Sequence, residues 1–149
     1  MKLETREVTE NDYHFAFDVK KQAIGPHIQS KCGWDEAYQL NVHKQRWNEK
    51  PWFIISLDGE EIGTVSIHHL EHATRFGEFY ILDQYRNKGI GSLFLQRFLK
   101  QCDTDNRTVI LEYLKWNPVG SLYKRNHFAI TDENDKHYFM ARPPQILEP

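Results

Sequence analysis

The sequence predicts an α/β (α+β) domain: one mixed sheet of about seven strands flanked by about four helices. Three observations carry that prediction. Hydrophobic periodicity switches repeatedly between a two-residue and a helical repeat along the 149 residues. Strand-like and helix-like segments interleave instead of segregating. One wide-faced apolar helix lies between two strands too far apart for a hairpin, which calls for a crossover connection. The length suits a single domain over residues 1–149. A composition of 40% hydrophobic and 27% charged residues excludes a disordered chain.

Each element has its own signal. Residues 4–8 read as a short strand. Thr9 then precedes Glu10 and Asp12, a capping residue followed by acids, which marks a helix start. Phe15, Val19, Gln22 and Ala23 follow at helical spacing, and Gly25-Pro26 and then Cys32-Gly33 read as breaks. Residues 35–47 predict a second helix, with Ala37, Leu40, His43 and Trp47 one turn apart. The apolar run 52–57, the turn Asp58-Gly59 and residues 62–67 predict a hairpin. After the polar stretch 68–74, residues 76–82 form another strand. From Ile90 the period changes: Ile90, Phe94, Phe98 and Cys102, with Leu93, Leu95 and Leu99, make a broad apolar helix face. Residues 107–114 return to strand. Residues 118–126 predict a short helix with Pro118 at its first position, where a missing N–H costs nothing. Residues 128–131 and 136–142 close the sheet, and the proline-bearing tail 143–149 does not extend it.

Several functions fall away. No run of about 18 apolar residues exists, so no membrane span is expected. The charged N-terminal segment does not resemble a signal peptide. Cys32 and Cys102 form no CxxC pair; they read as buried or incidental thiols and fit a reducing, cytoplasmic setting. His68 and His69 would face opposite sides of a strand, so with His72 they make poor co-ligands and no metal is expected. The net charge of −2 disfavours a nucleic-acid partner. An anionic ligand therefore has to be held by a local site.

Residues 81–92 provide such a site. A strand runs into a polar, glycine-bearing turn that opens the long helix. A helix start has unpaired N–H groups and partial positive charge, and attracts phosphate. Gly89 and Gly91 let the backbone curl, and Arg86 and Lys88 add charge. A P-loop would need GxxxxGK[ST], which is absent, and Phe94 stands where a dinucleotide fingerprint needs its third Gly or Ala. The remaining pattern, Arg86-x-x-Gly89-x-Gly91, resembles the [QR]-x-x-G-x-[GA] turn of the GCN5-related N-acetyltransferase (GNAT) family. Asn117, Ser121, Leu122, Tyr123 and Phe128 resemble that family's second signature. His127 departs from its usual Gly, and Asp83 stands where Pro is common. The element order also matches, from Met1 to about Arg142.

The resemblance implies a mostly antiparallel sheet whose central parallel strands, here residues 79–82 and 109–114, splay apart to receive the pantetheine of acetyl-CoA. It implies acetyl-CoA as acetyl donor and a primary amine of a small molecule or peptide as acceptor. The backbone of Tyr80, Ile81 and Leu82 would pair with the pantetheine. Arg86, Asn87, Lys88, Gly89, Ile90, Gly91 and Ser92 would hold the pyrophosphate, and Asn117 would orient the pantetheine arm or the strand end. Tyr123 matches the general acid that protonates the leaving thiolate; its plainer reading is a buried aromatic. Glu78 stands where relatives carry an acidic base, and it reads equally as an edge or surface carboxylate; Glu112 is a weaker base. Trp34 could wall the acceptor, although core packing, with Asp35 as a helix cap, is the plainer reading. His137 and Tyr138 face either the acceptor or the sheet. Homodimers are common in the family. The alternative function on the same fold is a non-catalytic acyl-CoA-binding sensor or interaction module.

Overall fold

The computed structural model describes residues 1–146, so the last three residues of the tail lie outside the described residues. The elements in order are β1 (Leu3–Glu7), α1 (Tyr13–Cys32), α2 (Glu36–Glu49), β2 (Trp52–Leu57), β3 (Glu60–His69), β4 (Thr74–Ile81), α3 (Ile90–Thr104), β5 (Val109–Leu114), α4 (Gly120–Arg125), β6 (Ala129–Glu133) and β7 (His137–Arg142). Among the described residues the sheet has seven strands in the order β1-β2-β3-β4-β5-β7-β6. Pairing is antiparallel for β1–β2, β2–β3, β5–β7 and β6–β7. The β4–β5 pair is parallel, in the register Thr74↔Val109 and Arg75↔Ile110, and α3 is the crossover that the sequence calls for. No helix of the described residues is long and apolar enough to cross a membrane.

The chain forms two compact units. One comprises Met1–Ile67 with Glu78–Asn87, the other His68–Gly77 with the residues from Lys88 on. In the first unit, the helix start at Thr9 is built by Asp12, whose carboxylate accepts from the Thr9 N–H at 2.8 Å and from both Nη groups of the Arg6 guanidinium at 2.9 Å. The Asp58-Gly59 turn has φ of 51° and 87° at its two residues, the left-handed pair a two-residue hairpin requires. One expectation fails here. α1 does not stop at Gly25-Pro26 but continues to Cys32. Pro26 brings no N–H for the Gln22 carbonyl, yet it lies on the exposed face, where water can take that carbonyl. The buried face, Ala16, Phe17, Val19, Ile24 and Ile28, carries the helix across the break. α2 is the opposite case, since His43 is the residue it buries, with Ala37 and Leu40 exposed.

In the second unit α3 buries Ile90, Phe94, Leu95, Leu99 and Cys102, most of the face its periodicity marks. Burial pushes the Cys102 thiol up to about 11, so it stays protonated. α4 begins at Gly120, two residues later than expected, with Pro118 in the turn before it. The Asn117 side chain explains the delay: its Oδ1 accepts from the Val119 N–H at 3.1 Å and closes a turn of its own.

Candidate active site

β4 carries the first group of expected site residues. Its burial alternates from Thr74 to Phe76 and then loses the alternation beyond Glu78. Glu78 sits at φ 46°, in the left-handed region that a glutamate rarely adopts. Its carbonyl accepts from Thr64 Oγ1 at 2.9 Å. Its side chain is 1% exposed and meets three cations: Arg46 Nη1 at 2.9 Å and Lys50 Nζ at 3.5 Å on Oε1, and Lys20 Nζ at 4.0 Å from Oε2. Burial alone would raise the carboxyl, but Lys20, Arg46 and Lys50 together outweigh it and hold the group at about 2. Burial in turn pulls the Lys20 ammonium below its ordinary range, with Glu78 opposing. Tyr80, Ile81 and Leu82 follow, each half-buried.

Beyond Leu82 the chain makes a tight turn, with Tyr85 N–H on the Leu82 carbonyl and Arg86 N–H on the Asp83 carbonyl. Arg86 folds back over it. Its Nε donates to the Ile81 carbonyl at 2.9 Å and its Nη1 pairs with Asp83 at 2.9 Å, while Nη2 is buried without a hydrogen-bond partner among the described residues. This pairing gives Asp83, the departure from the family's proline, a local role. Asn87 and Gly89 then take φ of 59° and 77°, and Gly89 is the N-cap of α3. The first α3 carbonyl bond is Leu93 N–H to Gly89 O at 3.0 Å. The N–H groups of Ile90, Gly91 and Ser92 precede it and have no carbonyl within the helix to bind. Asn87, Lys88 and Gly89 are exposed.

The second unit places Asn117 and Tyr123 at the two ends of one short stretch. Tyr123 is buried, with its ring 6.4 Å from Phe76, 5.9 Å from Tyr113 and 5.5 Å from Phe128. Burial, reinforced by Tyr113, pushes its hydroxyl above the ordinary phenol range. His127 takes φ 72°, the conformation for which the family uses Gly, so the substitution leaves the turn in place under strain. Glu112 is exposed. Tyr138 stacks near Tyr113 at 5.6 Å and under Lys115 Nζ at 4.9 Å.

Trp34 belongs to a different group. Its Nε1 donates to Glu36 at 2.7 Å, Lys21 Nζ lies 5.8 Å from its ring, and Phe17 lies 6.2 Å away. Asp35 caps α2 through Tyr38 N–H at 3.1 Å, which is its plainer reading. The residues that sequence reasoning missed are Lys20, Arg46 and Lys50. A signal existed for Lys20, which interrupts the apolar stripe between Ala16 and Ile24. Arg46 and Lys50 stand one turn apart at the end of α2, a spacing that reads as a solvated face until a partner is known.

Residues 48–130 match the model of the acetyltransferase (GNAT) domain. The chain belongs to the GNAT acetyltransferase family. The family's acetyl donor is acetyl-CoA. Solved structures share the GNAT fold over nearly the whole chain. The PaiA N-acetyltransferase of Thermoplasma acidophilum, in complex with coenzyme A, is 18% identical over 96% of this chain and 99% of its own, with a TM-score of 0.71. Ard1 of Thermoplasma volcanium is 22% identical, covering 99% and 100%, with a TM-score of 0.64. The ribosomal-protein-S18-alanine N-acetyltransferase of Escherichia coli is 14% identical, covering 99% and 97%, with a TM-score of 0.66. No curated protein matches the sequence.

Proposed function

We propose that this GNAT protein is an acetyl-CoA-dependent N-acetyltransferase, one catalytic domain over residues 1–149, acting on a primary amine of a small molecule or a peptide. The observation that carries the reading is the turn into α3. Left-handed Asn87 and Gly89 curl the backbone so that the amides of Ile90, Gly91 and Ser92 are left for an anion. Lys88 is exposed beside them and adds a positive charge. That donor set suits a pyrophosphate, and coenzyme A in the PaiA relative supports the same ligand here.

Acetyl-CoA supplies a thioester whose acyl group passes to the amine nitrogen, with CoA leaving as the thiol. On this chain, the backbone of Tyr80, Ile81 and Leu82 receives the pantetheine amides. The Asn117 turn braces the end of β5. Tyr123 Oη holds the proton that the leaving sulfur takes, and its burial keeps that proton in place at neutral pH. Trp34 borders the acceptor region. An acceptor ammonium, with an ordinary pKa of about 10.4, has to lose a proton, and Glu78, the acid expected to take it, is enclosed with a side chain 1% exposed. Three cations make it a weak proton acceptor. The setting is cytoplasmic, in keeping with two free thiols.

The test is thiol release from acetyl-CoA across a panel of amines. Tyr123→Phe is expected to lose about a hundredfold or more in turnover while still binding CoA. Unchanged turnover removes Tyr123 from the reaction. CoA binding without thiol release for any amine identifies a binding module instead.

A further inference from the structure

The group around Glu78 is more elaborate than proton transfer requires. A proton acceptor needs access to its substrate and a pKa near the working pH. Glu78 has a side chain 1% exposed and three cations within 4.0 Å. Its backbone conformation, φ 46°, is one that Gly or Asn adopts far more readily. A glutamate held there against its conformational preference is held by its surroundings.

Those surroundings act on both ends of the residue. The side chain is gripped by Lys20 from α1, by Arg46 near the end of α2 and by Lys50, the C-cap of α2. The main chain is pinned by Thr64 of β3, whose hydroxyl donates to the Glu78 carbonyl at 2.9 Å. Directly after Glu78 the strand docks again on β3. A Cβ on Gly63 would lie 2.2 Å from the Tyr80 carbonyl, so only glycine admits that approach. The Leu82 N–H donates to the Ile62 carbonyl at 2.8 Å. The kink at Glu78 therefore sets the path of the backbone from Phe79 to Leu82.

We propose that Glu78 is a positioning residue: its carboxylate, clamped by Lys20, Arg46 and Lys50, locks a left-handed kink in β4 and so fixes the Tyr80–Leu82 backbone that receives the acyl-CoA donor. The inference rests on the acetyltransferase reading for the donor and stands on geometry alone for the clamp. The depressed carboxyl agrees with it, since a clamp works only while the carboxylate is charged.

Glu78→Gln removes the charge and keeps the shape. Its CoA affinity is expected to fall about tenfold or more, with the KM for acetyl-CoA rising alongside. The pH profile of kcat should keep the wild-type form. Lys20→Met and Lys50→Met should weaken CoA in the same direction, because they act through the same clamp. Amide exchange at Leu82 in the CoA-free protein should speed up about tenfold in Glu78→Gln. A Glu78→Gln protein with wild-type CoA affinity, lower kcat and a lost acid limb in its pH profile would overturn the proposal in favour of a proton acceptor. Unchanged exchange at Leu82 would overturn the clamp itself. Should Glu78→Gln not fold, Lys50→Met decides on the same two readouts. A wild-type protein that does not bind CoA defeats the acetyltransferase reading and the donor half of the proposal, and the exchange measurement still decides the clamp.

Discussion

A buried carboxylate in the first unit, Glu78, and a half-buried one in the second, Asp103, are built differently. Asp103 in the second unit meets Arg142 in a parallel fork, Nη1 to Oδ1 at 2.7 Å and Nη2 to Oδ2 at 3.0 Å. The same guanidinium donates from Nε to the Asn126 carbonyl at 2.9 Å, and Asp103 also accepts from the Gln145 N–H at 2.9 Å. One cation answers one anion, with the geometry in which such pairs are strongest. Glu78 in the first unit has three cations, and its Oε2 has no hydrogen-bond partner among the described residues. The Asp103 group ties the last turn of α3 and the end of α4 to β7. The Glu78 group holds one residue in an unfavourable conformation. A matched pair closes the chain on itself, whereas an excess of charge on one side chain fixes a local shape that the backbone would not take alone.

The contrast can be broken first at Arg142. Arg142→Ala leaves Asp103 and the Asn126 carbonyl without their partner, and should cost about 3–5 kcal/mol of stability by chemical denaturation. Glu78→Gln should cost less, about 1–3 kcal/mol. Part of the Arg46 side chain reaches water, so its charge stays solvated once the carboxylate is gone. Equal losses in the two variants would erase the distinction drawn here.

Acid sharpens the comparison further. Glu78 has its folded pKa depressed to about 2 from an ordinary 4.5, and Asp103 is also depressed. A depressed carboxyl contributes stability that is complete above the unfolded pKa. That stability is lost as pH falls through the folded value. The wild type should therefore weaken steadily from pH about 4.5 down towards 2, and Glu78→Gln should show a shallower slope over that window in acid melts. The smallest effect is expected at His127, the residue after Asn126. His127→Gly relieves the φ of 72° and should raise stability by up to about 1 kcal/mol, read as a higher Tm. No gain would mean that the turn beside the Arg142 fork carries no strain.

Much of this was legible from local pattern. The α3 face, the Asp58-Gly59 hairpin and the Gly89 turn each depend on neighbours close in sequence, so periodicity and turn chemistry suffice to find them. The end of α1 was not legible. Pro26 stops a helix by local rules, and those rules are outweighed when the other face is buried. Asp83 was visible as a departure from the family's proline, but its pairing with Arg86 depends on the fold of the turn. Trp34 was visible as an aromatic, and its Glu36 and Lys21 partners appear only once α1 and α2 are placed.

By itself the sequence determined the order of elements, the family signatures and the glycine-bearing turn into α3, because each is written within a dozen residues. Tertiary structure alone decided what Glu78 faces. Lys20, Arg46, Lys50 and Glu78 come from three separate elements. The charge state of a carboxylate and the φ of its backbone are set by what long-range packing brings within a few ångströms, which no local pattern encodes.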